Sequence, residues 1–132
     1  MTVLDTTVVV DFLLGVGVGP RVGELLHGDQ AASAPDVLVF EVLAVLRRSA
    51  LRGTVTEERA TGAVAVLGDL PLELFPSLAL RQEAWALRHR LTSADALFAA
   101  LAAYLSEPLA TTDRGLANAA EREGLAVLRL GA

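Results

Sequence analysis

Four carboxylates stand out in this chain because of what surrounds them. Asp5 closes a short apolar run, Val3-Leu4, where a helix is expected to begin. Glu41 is the only polar side chain between Val37 and Leu46. Asp95 lies two places after Ser93, where a long apolar stretch begins, and Asp113 follows Thr111 and Thr112. Carboxylates that share a site repel one another, by roughly 4 kcal/mol for a pair at about 4 Å and an effective dielectric of about 20. A cluster of four therefore needs cations or shared protons. A ligand set made of oxygen alone suits Mg²⁺ or Mn²⁺ and not zinc.

Each acid also has a plainer reading. Asp5 and Asp113 stand where helices begin and would serve as N-caps. Asp95, in a first helical turn, would complement the helix dipole. Glu41 resists such an account more than the others, although a solvent-facing position on a narrow wet edge is open to it. A helix that is apolar all round is expected to be buried, and an ionised Glu is rarely buried without a partner. Arg47 and Arg48, six and seven positions on, lie nearly two turns away. Glu41 is therefore expected to face a polar cleft.

The elements that must position these groups alternate along the chain. Val3 to Asp5 reads as a strand and Thr6 to Leu14 as a helix broken by the segment Gly15 to Pro20. Arg21 to His27 reads as a helix, Ala31 to Ser33 as a weak strand ended by Pro35, and Asp36 to Arg52 as a long helix stopped by Gly53. A helix follows from Thr56 to about Asp69, then a strand from Leu72 to Phe75 between two prolines. Leu78 to Arg90 reads as one helix. Ser93 is the expected N-cap of a helix reaching Leu105. Leu109 to Thr111 reads as a strand, Arg114 to Glu123 as a helix and Leu125 to Leu130 as a last strand. The alternation predicts an α/β fold, a mostly parallel sheet of about five strands with helices on both faces. In such sheets functional groups gather beyond the carboxyl ends of the strands. If the strands before Asp5 and Asp113 are neighbours, the two acids converge on one rim.

Composition narrows the function classes. The 132 residues fit a single domain over 1–132. There is no Cys, which excludes thiolate metal sites, disulfides and a cysteine nucleophile. There is no Lys, which excludes a P-loop lysine, a Schiff base and the lysine-dependent phosphatase sites. The segment Gly15 to Gly19 does not have the spacing of a phosphate cradle. The net charge of −5 is not that of a simple nucleic-acid binder. A mean hydropathy of +0.49 is high, yet the longest apolar stretch, Ala96 to Leu105, is about half a membrane span. The surplus apolar surface is expected to meet another protein. With no basic region before the first acid, a cytoplasmic protein is expected. His27 and His89 read as structural or exposed, Trp85 and Tyr104 as core or interface. The arginines at 47, 48, 52, 88 and 90 read as solvated or as contacts to RNA or a partner.

Four stretches together resemble the PIN-domain ribonucleases of the VapC toxin type. They are Val3 to Val10, Pro35 to Leu46, Leu91 to Ala102, and Leu109 to Leu116. The family's acidic positions fall on Asp5, Glu41, Asp95 and Asp113, its site hydroxyl on Thr111, and a hydroxyl supporting the first acid on Thr7. The chain departs from the family at Gly15 to Gly19, where related chains are more polar, and this alters the shape of the adjacent cleft. The resemblance implies a three-layer PIN-like fold and Mg²⁺- or Mn²⁺-dependent hydrolysis of phosphodiester bonds in RNA. It makes Asp5 and Asp95 the principal ligands, with Glu41, Asp113 and Thr111 around them. It further implies a homodimer and a VapB-like antitoxin, with DNA met only through that antitoxin. Two rivals remain at this point: a non-catalytic PIN-fold interaction module, and a magnesium-dependent phosphatase with Asp5 as nucleophile.

Overall fold

The computed structural model describes residues 1–28 and 31–131. Its strands are β1 (Thr2–Leu4), β2 (Ala32–Pro35), β3 (Leu72–Phe75), β4 (Leu109–Thr111) and β5 (Val127–Arg129). Its helices are α1 (Thr6–Leu14), α2 (Gly19–Leu26), α3 (Val37–Arg52), α4 (Glu57–Leu67), α5 (Arg81–Ala86), α6 (Ser93–Leu105) and α7 (Arg114–Arg122). A 3₁₀ turn, Ser77–Leu80, leads into α5. The five strands form one sheet in the order β3-β2-β1-β4-β5, and every pairing is parallel.

The strand order sets the location of the site. From β1 the chain steps outward through β2 to β3, then returns to the other side of β1 for β4 and β5. Right-handed crossovers that travel in opposite directions place their helices on opposite faces. Accordingly α1 packs on α2, α3 and α4, whereas α6 lies against α5 and against β1, β2 and β4. The reversal leaves a crevice at the carboxyl ends of β1 and β4, the kind of position where open parallel sheets bind ligands. Val3 pairs with Leu109 and Leu4 with Ala110. The Asp5 N–H then donates to the Ala110 carbonyl at 3.0 Å, so Asp5 and Thr111 leave the sheet side by side.

The core is built from short side chains where helix meets sheet. Val3, Leu4, Leu109 and Ala110 are fully buried. On α6, Ala96, Ala99, Ala100 and Ala102 are buried beside Phe98 and Leu101, and the alanines let the helix backbone approach the strands closely. Val8 and Val9 of α1 and Leu38 and Val42 of α3 close the other face.

Several expected boundaries move. The second strand runs through Pro35 instead of stopping before it. At that register β1 has already ended, so the missing proline N–H deprives no neighbour, and the Asp36 N–H continues the pairing to the Phe75 carbonyl at 2.8 Å. The second helix begins at Gly19 with Pro20 in its first turn, a place where the absent N–H is harmless. The single helix expected from Leu78 to Arg90 is a 3₁₀ turn, a short α5 and a further turn. Thr92, not Ser93, caps α6, its hydroxyl accepting from the Asp95 N–H at 3.2 Å. The last strand is three residues long instead of six. Helix α3 is not buried all round: Phe40 is 70% exposed, and Val39 and Leu43 are also open to solvent. Its apolar outer face is a surface. Trp85 and Tyr104 are likewise exposed and are not core residues. Among the described residues no helix is long and apolar enough to cross a membrane.

Candidate active site

Asp5 occupies the N-cap position of α1, but its side chain makes no capping hydrogen bond. Its carboxylate turns inward, 3% exposed, and Oδ2 accepts two hydroxyl hydrogen bonds: from Thr7 at 2.9 Å and from Thr111 at 2.8 Å. Both donors point at one oxygen, and neither hydroxyl engages Oδ1. The hydroxyls are held in turn. Thr111 Oγ1 accepts from the Asp113 N–H at 3.0 Å, and Thr7 Oγ1 from the Thr112 N–H at 3.4 Å. A hydroxyl that accepts a backbone N–H has its own hydrogen free to aim at the carboxylate. The chain from β4 to α7 thus orients both groups that hold Asp5.

Glu41 enters from α3, half-buried, and its Oε1 accepts the Thr6 hydroxyl at 2.6 Å. Asp95 enters from the first turn of α6. Asp113 is exposed, and its Oδ1 accepts the Leu116 N–H at 3.1 Å. The capping role anticipated for Asp113 is therefore real, and it holds the carboxylate at the rim next to Thr111. For Asp95 the dipole reading also holds, since Asp95 sits in the first turn of its helix.

Electrostatics joins the four. Burial pushes the Asp95 carboxyl up to about 6, and the charges of Asp5, Asp113 and Glu41 push it the same way, against a smaller opposing effect of the Thr92 hydroxyl. Burial also raises Asp5, partly offset by the hydroxyls of Thr111 and Thr7, with Asp113 adding to the rise. The other three expected acids therefore lie within Coulombic reach of Asp95. Among the described residues, however, no three acidic or histidine side chains stand close enough to enclose an ion as they are placed. A small divalent cation does not need that enclosure. Mg²⁺ keeps several waters and is held through one or two carboxylates. An all-oxygen donor set, with like charges that raise a carboxyl toward neutrality, fits such an ion.

A model of the PIN domain family matches residues 2–122. The chain belongs to the PIN-domain family. This PIN domain is 40% identical, over 118 residues, to "Ribonuclease VapC1" from two strains of Mycobacterium tuberculosis, with 89% of each chain covered. Two solved structures share its fold. VapBC2 from Rickettsia felis, bound to a DNA fragment of its promoter, aligns with a TM-score of 0.69 at 14% identity over 98% of both chains. FitAcB from Neisseria gonorrhoeae aligns with a TM-score of 0.51 at 21% identity, over 98% of this chain and 97% of that one.

Two positions important to the site were not singled out in the sequence. Thr6 ties α1 to Glu41, yet a Thr at a helix start looks ordinary, and only its place directly after Asp5 marks it. Asp11 shapes the glycine-rich segment beside the cleft: its Oδ2 accepts the Val18 N–H at 3.1 Å. A Cβ on Gly17, whose φ is +51°, would come within 2.3 Å of that same oxygen. His27 and His89 are exposed and stand apart from the acids.

Proposed function

We propose that this protein is the toxin of a toxin–antitoxin pair, an endoribonuclease that hydrolyses phosphodiester bonds in RNA with Mg²⁺ or Mn²⁺. The observation that supports this reading is that Asp5, Glu41 and Asp113 all lie within Coulombic reach of Asp95. It is made in a PIN domain 40% identical to a protein named as a ribonuclease.

In this mechanism Asp5 and Asp95 would hold the cation, Glu41 and Asp113 would stand around it to orient the attacking water, and Thr111 fixes the Asp5 carboxylate. The cation, when bound, lowers the pKa of a water and neutralises charge at the phosphate. The chain's own groups supply the rest. Thr7 and Thr111 lock Asp5 so that its orientation costs nothing at the moment of reaction. Asp95, whose carboxyl is pushed up to about 6 without metal, would have to be ionised to hold the cation, since proton and cation compete for the same oxygens. The attacking water gives its proton to solvent. The water oxygen bonds to phosphorus, the ester oxygen of the chain leaves, and that oxygen takes up a proton.

The partners follow the same reading: a VapB-like antitoxin that covers the crevice, a second copy of this chain, and DNA met only through the antitoxin. Nothing in the site favours the phosphatase reading, since Asp5 is almost fully buried and the chain has no lysine. Cleavage of an oligoribonucleotide by purified protein decides between the toxin and a non-catalytic module. Wild type should cleave with Mg²⁺ or Mn²⁺ and not with chelator, and Asp5→Asn should lower the rate at least about 100-fold, a loss in the range of a removed electrostatic group. Absence of cleavage by wild type with either cation overturns the proposal.

A further inference from the structure

The ribonuclease reading does not use Trp85, the only tryptophan in the chain. It is 67% exposed, and the Arg88 guanidinium lies 4.7 Å from its ring centroid. A ring with one face under a guanidinium and most of its surface in water has its opposite face to offer. Arg81, Trp85 and Arg88 are spaced i, i+4 and i+7, and they line one cleft of about 210 Å³ together with Ser93 and Leu97 of α6. Both arginines are anchored from below: Arg81 donates to the Leu78 carbonyl at 2.9 Å and Arg88 to the Trp85 carbonyl at 3.0 Å. Each guanidinium carries five N–H donors, so most remain free. Among the described residues neither arginine is in an ion pair, whereas nearby Arg90 is tied to Glu123 at 2.8 Å.

The cleft lies at the N-terminal end of α6, the helix end that also carries Asp95. Helix α6 runs from the carboxyl end of the sheet, Ser93 stands at its first position, and Asp95 follows two residues later. Two residues of helix span about 3 Å along the axis but about 200° around it, so Ser93 and Leu97 line the cleft on one face of α6 and Asp95 leaves the same helix end on another. An aromatic face flanked by fixed cations is the pattern that binds unpaired nucleotides, because every base has a π-face and every link a phosphate. In a protein of net charge −5, two arginines outside any ion pair among the described residues offset locally the repulsion that a polyanion meets.

We propose that this cleft holds an unpaired nucleotide of the RNA substrate that flanks the segment being cut, its base stacked on the free face of Trp85 and its phosphate on Arg81 and Arg88. The proposal rests on the ribonuclease reading, but its test is separate. Because Trp85 is the sole tryptophan, its emission reports on this cleft alone. In the Asp5→Asn protein, titration with a single-stranded oligoribonucleotide should quench that emission saturably. In the otherwise wild-type enzyme, Trp85→Leu should raise KM about 10-fold with kcat little changed, and Trp85→Phe should restore most of the loss. Arg81→Gln with Arg88→Gln should weaken binding and flatten its salt dependence by about 0.7 for each phosphate contact removed. Unquenched emission at saturating RNA, or an unchanged KM in Trp85→Leu while wild type cleaves with metal, overturns the proposal. So does emission that responds only to the antitoxin or to protein concentration, which would make the cleft a protein interface. Failure of wild type to cleave at all removes instead the ribonuclease reading.

Discussion

Asp95 is where burial and like charge meet, and its carboxyl near 6 has a consequence for stability. The unfolded chain releases this proton near the ordinary value of 3.8, the folded chain near 6. Between those values the folded state binds more protons, so metal-free stability falls as pH rises through the window and stays lowered above it. One pKa unit corresponds to about 1.4 kcal/mol. With the carboxylate about half open to water, the loss is discounted to about 1–2 kcal/mol. Asp95→Asn should therefore match wild type at pH 4 and be more stable at pH 7.5 in chelator, by thermal melting at both values. A less stable variant at pH 7.5 would mean that the charge chiefly serves the start of α6. Added Mg²⁺ should stabilise wild type increasingly with pH, because protons and metal compete for the same oxygens. Thr111→Val preserves shape but removes a donor to the buried Asp5 and an acceptor for the Asp113 N–H. A hydrogen bond to a charged group contributes about 1.5–3 kcal/mol. The variant should lose stability of that order at neutral pH, together with at least about tenfold in cleavage rate. The acids themselves were legible as a set, in that the charges of Asp5, Glu41 and Asp113 all bear on Asp95. Their partners were only partly so. Thr7 and Thr111 could be placed by resemblance, whereas the Thr6 to Glu41 bond joins residues 35 apart and depends on how α1 crosses α3.

At the scale of elements, alternating apolar runs were enough to place five strands and most of the helices, because each run is bounded by Gly, Pro or a capping residue. The failures have local causes. The segment from Leu78 to Arg90 has helical spacing throughout, but its start is pinned when the Ser77 N–H and hydroxyl both donate to Asp36 Oδ1. The chain must then turn back to bring Leu91 into the core before Thr92 caps α6. No sequence window contains both Asp36 and Ser77. The apolar run of α3 was read as burial, when part of it is an outward face; periodicity cannot distinguish a buried face from one awaiting a partner. The loop from α1 to α2 offers a test of its own. Gly17 combines a left-handed backbone with an Asp11 oxygen where a Cβ would sit. Gly17→Ala should destabilise by roughly 2 kcal/mol from the left-handed strain and the displaced carboxylate. Gly62→Ala, in exposed α4 with nothing within 4 Å of the new Cβ, should stabilise by up to about 1 kcal/mol. Denaturant midpoints of the two variants measure both signs. Equal effects would show that the glycine-rich loop is not shaped by Asp11.

The whole molecule exposes two separate apolar faces, and the reading of a toxin with two protein partners gives each face a distinct use. One is a groove of about 360 Å³ lined by Val39 and Leu43 of α3, Val64 of α4 and Leu74 of β3, with Phe40 exposed beside it. The other, of about 400 Å³, is lined by Phe75, Pro76, Leu80 and Tyr104, and Tyr104 is 73% exposed. Helix α3 also carries Glu41 into the crevice, so a segment laid along its apolar face leads toward the acids, as an inhibitor must. Tyr104 lies nine positions beyond Asp95 on α6, about 13 Å along the axis. A second copy seated there leaves the crevice open. High mean hydropathy thus reflects exposed apolar side chains such as Phe40, Leu43 and Tyr104 as well as the core. Leu43→Asp places a charge on an already exposed position and should leave the fold and the cleavage by free protein intact. It should weaken the antitoxin complex about 100-fold, the scale of a central interface residue. Tyr104→Asp should convert the dimer to monomer while antitoxin binding and cleavage persist. Light scattering, titration with the antitoxin and the cleavage assay on both variants separate the outcomes. If Leu43→Asp abolishes the dimer and Tyr104→Asp the antitoxin complex, the two faces are exchanged. The inhibitor would then have to reach the acids from the α6 side, past Trp85 and its arginines.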